Sequence, residues 1–125
     1  MKYWLPVIFW LLVIFLVSSI PSLKVTNNNW LQDIINNCGH LTEYAILAYL
    51  IFRPLYFYHH FRGYRLLSLN FFLPLLYAFS DEFHQAFVPG RTPDIHDILM
   101  DTIGISLTLI ILIYYHSYNS SSNSK

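Results

Sequence analysis

Four apolar runs dominate the chain, at residues 3–20, 41–58, 66–87 and 98–115. The first carries no charge. The second carries only Glu43 and Arg53, the third none before Asp81 and Glu82, and the fourth only Asp101. Each run approaches the roughly 20 residues with which a helix crosses the ~30 Å hydrocarbon layer of a bilayer. The helices of a soluble domain would instead show a polar face along most of their length. The pattern predicts an all-α fold: an integral membrane bundle of four transmembrane helices with short loops. It should occupy residues 1–117 and be followed by a disordered tail at 118–125, where the serine- and asparagine-rich composition cannot build a core. Pro6 falls in the first turn of its run and is tolerated there, whereas Pro54 and Pro74 are expected to kink or end their helices. The first run has a rival reading as a signal peptide cut after Val17-Ser18-Ser19. Its length and its polar stop favour an uncleaved helix.

The connecting segments set the orientation. Residues 21–39 are polar, with a short interfacial helix expected where Trp30, Leu31, Ile34, Ile35 and Cys38 fall on one face. Residues 59–65 form a basic turn in which His59 and His60 read as solvated. With four spans, Lys2, Arg53, Arg62, Arg65 and Lys125 share one side of the membrane, against Lys24 and Arg91 on the other. The positive-inside rule then puts both termini in the cytoplasm and the 21–39 and 87–95 loops outside.

Composition sharpens this picture. Charged residues are 11% of the 125, against about 25% in soluble domains, and mean hydropathy is +0.43. Aromatics at 18% suit belts at two membrane interfaces. The formal net charge is zero, which gives no sign of a nucleic-acid partner; the lipid bilayer is the expected surrounding. One cysteine, Cys38, excludes an internal disulfide and a cysteine-based metal motif.

The scarce charges crowd together. From Leu66 to Asp81 is 15 residues, roughly 22 Å of helix at about 1.5 Å per residue, so Asp81 and Glu82 come just under the outer surface. Asp101 lies one turn inside Asp97, and Glu43 one turn inside His40. Asp81 and Gln85 share a helix face. Asp94, Asp97, Asp101, Gly104 and Thr108 repeat at intervals of 3, 4, 3 and 4, a polar and small-residue stripe expected to face the bundle rather than lipid. Val88-Pro89-Gly90-Arg91 suits a tight turn with a positive φ at the glycine, and Thr92-Pro93 or Asp94 suits the start of the last helix, with Pro93 at its first position. Such a hairpin is expected to hold Arg91 over the carboxylates. Glu43, Asp81, Glu82, Asp94, Asp97 and Asp101 stand against Arg91 and the nearby His40, His84 and His96. An acid excess of this kind calls for protons, a metal ion or a cationic ligand.

The candidate roles divide accordingly. Asp81, Glu82, Asp97 and Asp101 are the catalytic candidates for acid–base work. His40, Glu43, Gln85 and Arg91 are the ligand-binding candidates. Asp81, Asp97 and Asp101 are the metal candidates, with magnesium or calcium as the divalent cation. No nucleophile elbow, phosphate loop or zinc motif is present.

The stretch "DEFHQAFVPGRTPDIHDILMDTIG" resembles the signature of the VanZ-like family of small bacterial membrane proteins, and "HLTEYAILAYL" resembles its second-helix motif. Asp101 stands where that family has Asn at least as often. Cys38-Gly39 stand where a basic residue usually precedes the second-helix histidine. The resemblance implies about four transmembrane helices and an address in the bacterial cytoplasmic membrane. It also links the chain to glycopeptide (teicoplanin) resistance through the family's namesake. Three functions compete. One is an outward acidic pocket that binds or modifies an envelope component, such as a lipid-linked or cell-wall precursor. The second is an adaptor whose charges form an ion-pair lock. The third is a small cation or proton transporter, disfavoured because the acids gather at one end only. If the orientation is right, Arg91→Cys in a Cys38→Ser background is labelled by a membrane-impermeant maleimide from outside the cell; labelling from the cytoplasmic side alone reverses it.

Overall fold

A computed structural model describes residues 2–21 and 27–122, the last six of these by backbone alone. Lys24 and Lys125, used above for orientation, lie outside the described residues. Among those residues the chain is all-helical, with no strand: α1 (Leu5–Ser18), α2 (Asn29–Arg53), α3 (Gly63–Gln85) and α4 (Ile95–Ser122). Residues 95–116 of α4 have by themselves the length and hydropathy to cross a membrane, with a mean hydropathy of 2.0. The apolar α1 is shorter, at 14 residues.

Local chemistry sets the helix ends. Pro6 sits in the first turn of α1, where no donor is missed. At the other end the Ser19 hydroxyl donates to the Phe15 carbonyl at 2.7 Å. Pro54 has no N–H for the Leu50 carbonyl, and the helix widens there into a π-helical turn, Pro54–Tyr58, closed by the His59 N–H on the Pro54 carbonyl at 2.9 Å. Pro74 is buried within α3, so this proline neither ends the helix nor leaves the core. The Arg91 N–H bonds the Val88 carbonyl at 3.1 Å across a turn with Pro89 second and Gly90 third, at φ 78°. This is the arrangement that a type II turn demands.

Two expectations change. The interfacial helix at 30–38 is no separate element: α2 starts at Asn29 and runs straight through Gly39. Flanking helix formers carry one glycine, whose cost of about 1 kcal/mol is small beside the packing of a long helix. Pro93 is not the first residue of α4. Asp94 follows it as the cap, its carboxylate accepting the His96 N–H at 2.9 Å, and the helix begins at Ile95. The last helix, α4, continues to Ser122.

The core runs down the bundle through Ile14, Tyr44, Leu47, Ala48, Ile51, Ala78 and Ile105. The bundle exterior is also apolar. Ile8, Phe9 and Leu12 on α1, Phe72, Leu76 and Phe79 on α3, and Ile110, Ile111 and Tyr114 on α4 are all exposed. The most extensive interface joins α2 to α4. Gly104 makes it possible: a Cβ there would collide with the Leu41 carbonyl oxygen and lie 3.2 Å from the Ala45 nitrogen. One turn on, the Thr108 hydroxyl donates to the Ala45 carbonyl at 3.1 Å. The small-residue stripe thus packs backbone to backbone against α2. Gly104→Ala is expected to force the helices apart and lower stability by about 1–3 kcal/mol. Gly39→Ala, with nothing within 4 Å, should be neutral or stabilising. Thermal unfolding of the two variants in detergent checks the contrast.

Candidate functional site

The charged residues gather where α2, α3 and α4 converge near the end of α1. Asp101 is 1% exposed and Asp81 and Glu82 are each 5% exposed, so these carboxylates are part of the interior.

His40 is the junction between α2 and α4. Its Nδ1 lies 3.1 Å from Asp101 Oδ1 and its Nε2 lies 3.5 Å from Asp97 Oδ2. The two aspartates stand one turn apart on α4, and the imidazole fits between them. His40 precedes the second apolar run. Burial alone would lower the basicity of its ring. The hydrogen bond to Asp101 and the charges of Asp101, Asp97 and Glu43 outweigh that and raise its pKa from 6.5 to about 9.

On α3, Gln85 organises the acids. Its Nε2 donates to Asp81 Oδ2 at 3.1 Å and to Glu82 Oε1 at 3.3 Å. The other oxygen of Glu82 accepts the Asp94 N–H at 2.9 Å, tying α3 to the start of α4. Arg91 differs from expectation. Among the described residues it makes no ion pair with a carboxylate. Its Nη1 donates to Gln85 Oε1 at 3.2 Å, its Nε to the Ile20 carbonyl at 3.2 Å, and its Nη2 to the Val17 carbonyl at 3.3 Å. Two of the three bonds go to carbonyls at the end of α1, which attract a cation. Its charge reaches Asp81 and Glu82 only through the Gln85 amide. Glu43 lies within electrostatic reach of His40, Asp81, Asp101 and Arg91, and its own backbone carbonyl accepts the Trp10 indole N–H at 2.9 Å. His84 is drawn away to α1, with its ring against Phe15 and its Nε2 at 3.0 Å from the Ser19 hydroxyl.

Above this network opens a cleft of about 620 Å³, within the range of small-ligand pockets. Its walls include His40, Glu43, Gln85, Arg91, Asp94 and Asp97, and also Gln32, Asp33 and Asn36 from the first turns of α2. Of the ligand-binding candidates, all four line it. Of the catalytic and metal candidates, Asp97 lines it; Asp81 and Asp101 lie behind, held by Gln85 and His40. The ligand atoms that converge are those of His40, Glu82 and Asp97, all within 4.8 Å of one another, rather than those of Asp81, Asp97 and Asp101. Gln32 and Asn36 were not expected in the wall. With the helix taken to start after Gly39, the polar spacing 32, 36, 40, 43 could not be seen as one stripe.

The VanZ/LLP1 family model matches residues 3–116. No curated protein and no solved structure matches the chain. If Arg91 acts as a clamp on the end of α1, Arg91→Ala is expected to cost about 1–3 kcal/mol through its lost charged hydrogen bonds, and Arg91→Lys should recover only part, since an ammonium cannot span three acceptors in one plane. Thermal unfolding in detergent measures both.

Proposed function

Taking as premise that the chain belongs to the VanZ/LLP1 family, we propose that it is a multi-pass protein of the bacterial cytoplasmic membrane with both termini inside. Its cleft opens outward and binds a component of the cell envelope, and that binding alters susceptibility to glycopeptides such as teicoplanin. The observation that carries this reading is the cleft itself. It is a polar recess of about 620 Å³, lined by acids, His40 and Arg91, at one end of a bundle whose exterior is apolar. Exposed Ile, Leu and Phe on α1, α3 and α4 would be costly in water and are suited to lipid. Arg91, with its fork partly committed to α1, and the acids on the opposite wall suit a ligand carrying both an anionic and a cationic or hydroxylated part, as a lipid-linked or cell-wall precursor does.

One observation favours a second reading. The bonds from Glu82 to the Asp94 N–H and from Arg91 to α1 join loops and helices to one another, as a purely structural lock would. In that reading the protein is a non-enzymatic adaptor, and its phenotype arises through a partner. Glu43→Gln separates the two, because its carboxylate lines the cleft. In a deletion strain challenged with teicoplanin and other wall-active compounds, wild type should restore the parental response. Glu43→Gln should fail to do so while its membrane abundance stays normal. Full complementation by Glu43→Gln, or loss of the variant from the membrane, counts for the lock.

A further inference from the structure

We propose that His40, Glu82 and Asp97 form a site for one divalent transition-metal ion, of the zinc or manganese class, where His40 and Asp97 line the cleft and Glu82 is buried beside them. Each residue comes from a different helix, and their ligand atoms lie within 4.8 Å of one another. His40 Nε2 and Asp97 Oδ2 are 3.5 Å apart. Two ligands at about 2.0–2.1 Å from a tetrahedral zinc ion stand roughly 3.3 Å apart, so this edge is nearly of the size that an ion requires.

The surroundings are those of a metal ligand set. Asp101, 1% exposed, holds Nδ1 of His40 at 3.1 Å and so directs Nε2 toward Asp97. A carboxylate behind a ligating histidine is the usual means of setting its tautomer and orientation. Glu82 is oriented by Gln85 and by the Asp94 N–H, and each of its oxygens keeps a further lone pair.

Two observations independent of this geometry point to a cation. Glu43, Asp81, Glu82, Asp97 and Asp101 share one end of the bundle, and among the described residues His40 alone forms an ion pair with any of them, because Arg91 donates to Gln85 and to backbone carbonyls. Uncompensated carboxylates in a dry interior are costly, and a doubly charged ion offsets two. The Tyr44 hydroxyl, one turn below His40, is fully buried and has no partner, yet lies within electrostatic reach of Asp81, Asp101 and Glu43. A buried hydroxyl without a protein partner calls for a water or a ligand that protein atoms do not supply.

The imidazole decides the ion class. Calcium takes six to eight oxygens and magnesium keeps most of its waters, whereas one nitrogen and two carboxylates suit zinc or manganese. This replaces the magnesium or calcium expected from the carboxylates alone.

The test uses the full chain purified in detergent and stripped with EDTA. Equilibrium dialysis against Zn²⁺ or Mn²⁺ should give one ion per chain. The same ion should raise the thermal midpoint by several degrees, as ligand binding to the folded state does at large excess. Mg²⁺ and Ca²⁺ at the same concentration should do neither. His40→Gln and Asp97→Asn should each lower affinity at least tenfold while the helical circular dichroism is unchanged. Asp97→Asn is the safer variant, since its side chain is 21% exposed. Absence of binding to wild type, equal binding by the folded variants, or a response to Mg²⁺ and Ca²⁺ alone overturns the assignment. The outcome is separate from the envelope reading: a chain that binds no ion could still fail or succeed in the complementation assay with Glu43→Gln.

Discussion

The imidazole of His40 lies between Asp97 and Asp101, with one ring nitrogen toward each. This contact requires α2 and α4 to approach more closely than ordinary side chains permit. Gly104 allows it by bringing the α4 backbone against Leu41 and Ala45, directly below the pair. A methyl group there would move Asp101 away from His40, and a buried aspartate would lose its partner. Charge burial and close packing are therefore one constraint, because neither is stable without the other.

The rest of the charged end follows from the question of how each remaining acid is satisfied. Gln85 holds Asp81 and Glu82 with one amide nitrogen and accepts from Arg91 with its oxygen. An amide can do this because it carries donors and an acceptor on opposite sides. Arg91 is thereby left to bind the end of α1, where carbonyls without helical partners present partial negative charge. In the turn that carries Arg91, Pro89 pre-sets its φ and Gly90 takes the positive φ without strain, so the guanidinium is delivered to α1.

This arrangement leaves more acids than cations around a cleft large enough for a ligand. A metal ion bound by His40, Glu82 and Asp97 balances that charge, and would present a positive centre to the phosphate or carboxylate of an envelope component. The proposed metal and the proposed ligand are thus chemically compatible, although each stands on its own observations.

Much of this could be read from the residues alone. The apolar runs announced helices because each is long and nearly uncharged, as a buried or membrane-crossing helix is. The stripe from Asp94 to Thr108 announced the packed face of α4 because helical periodicity is a local property. The turn at 88–91 was legible because proline fixes φ and glycine alone takes a positive φ at no steric cost. Tertiary structure alone decided which acids meet which partners. The sequence shows that Arg91 lies near carboxylates, but not that the end of α1 competes for its fork. It shows Gly39 as a helix breaker, but not that packing of the flanking turns overrides one glycine. It shows that Asp81 and Glu82 point about 100° apart on one helix, but not which neighbour each one meets. Only the placement of α2 and α4 turned Glu82 toward His40 and left Asp81 to Gln85.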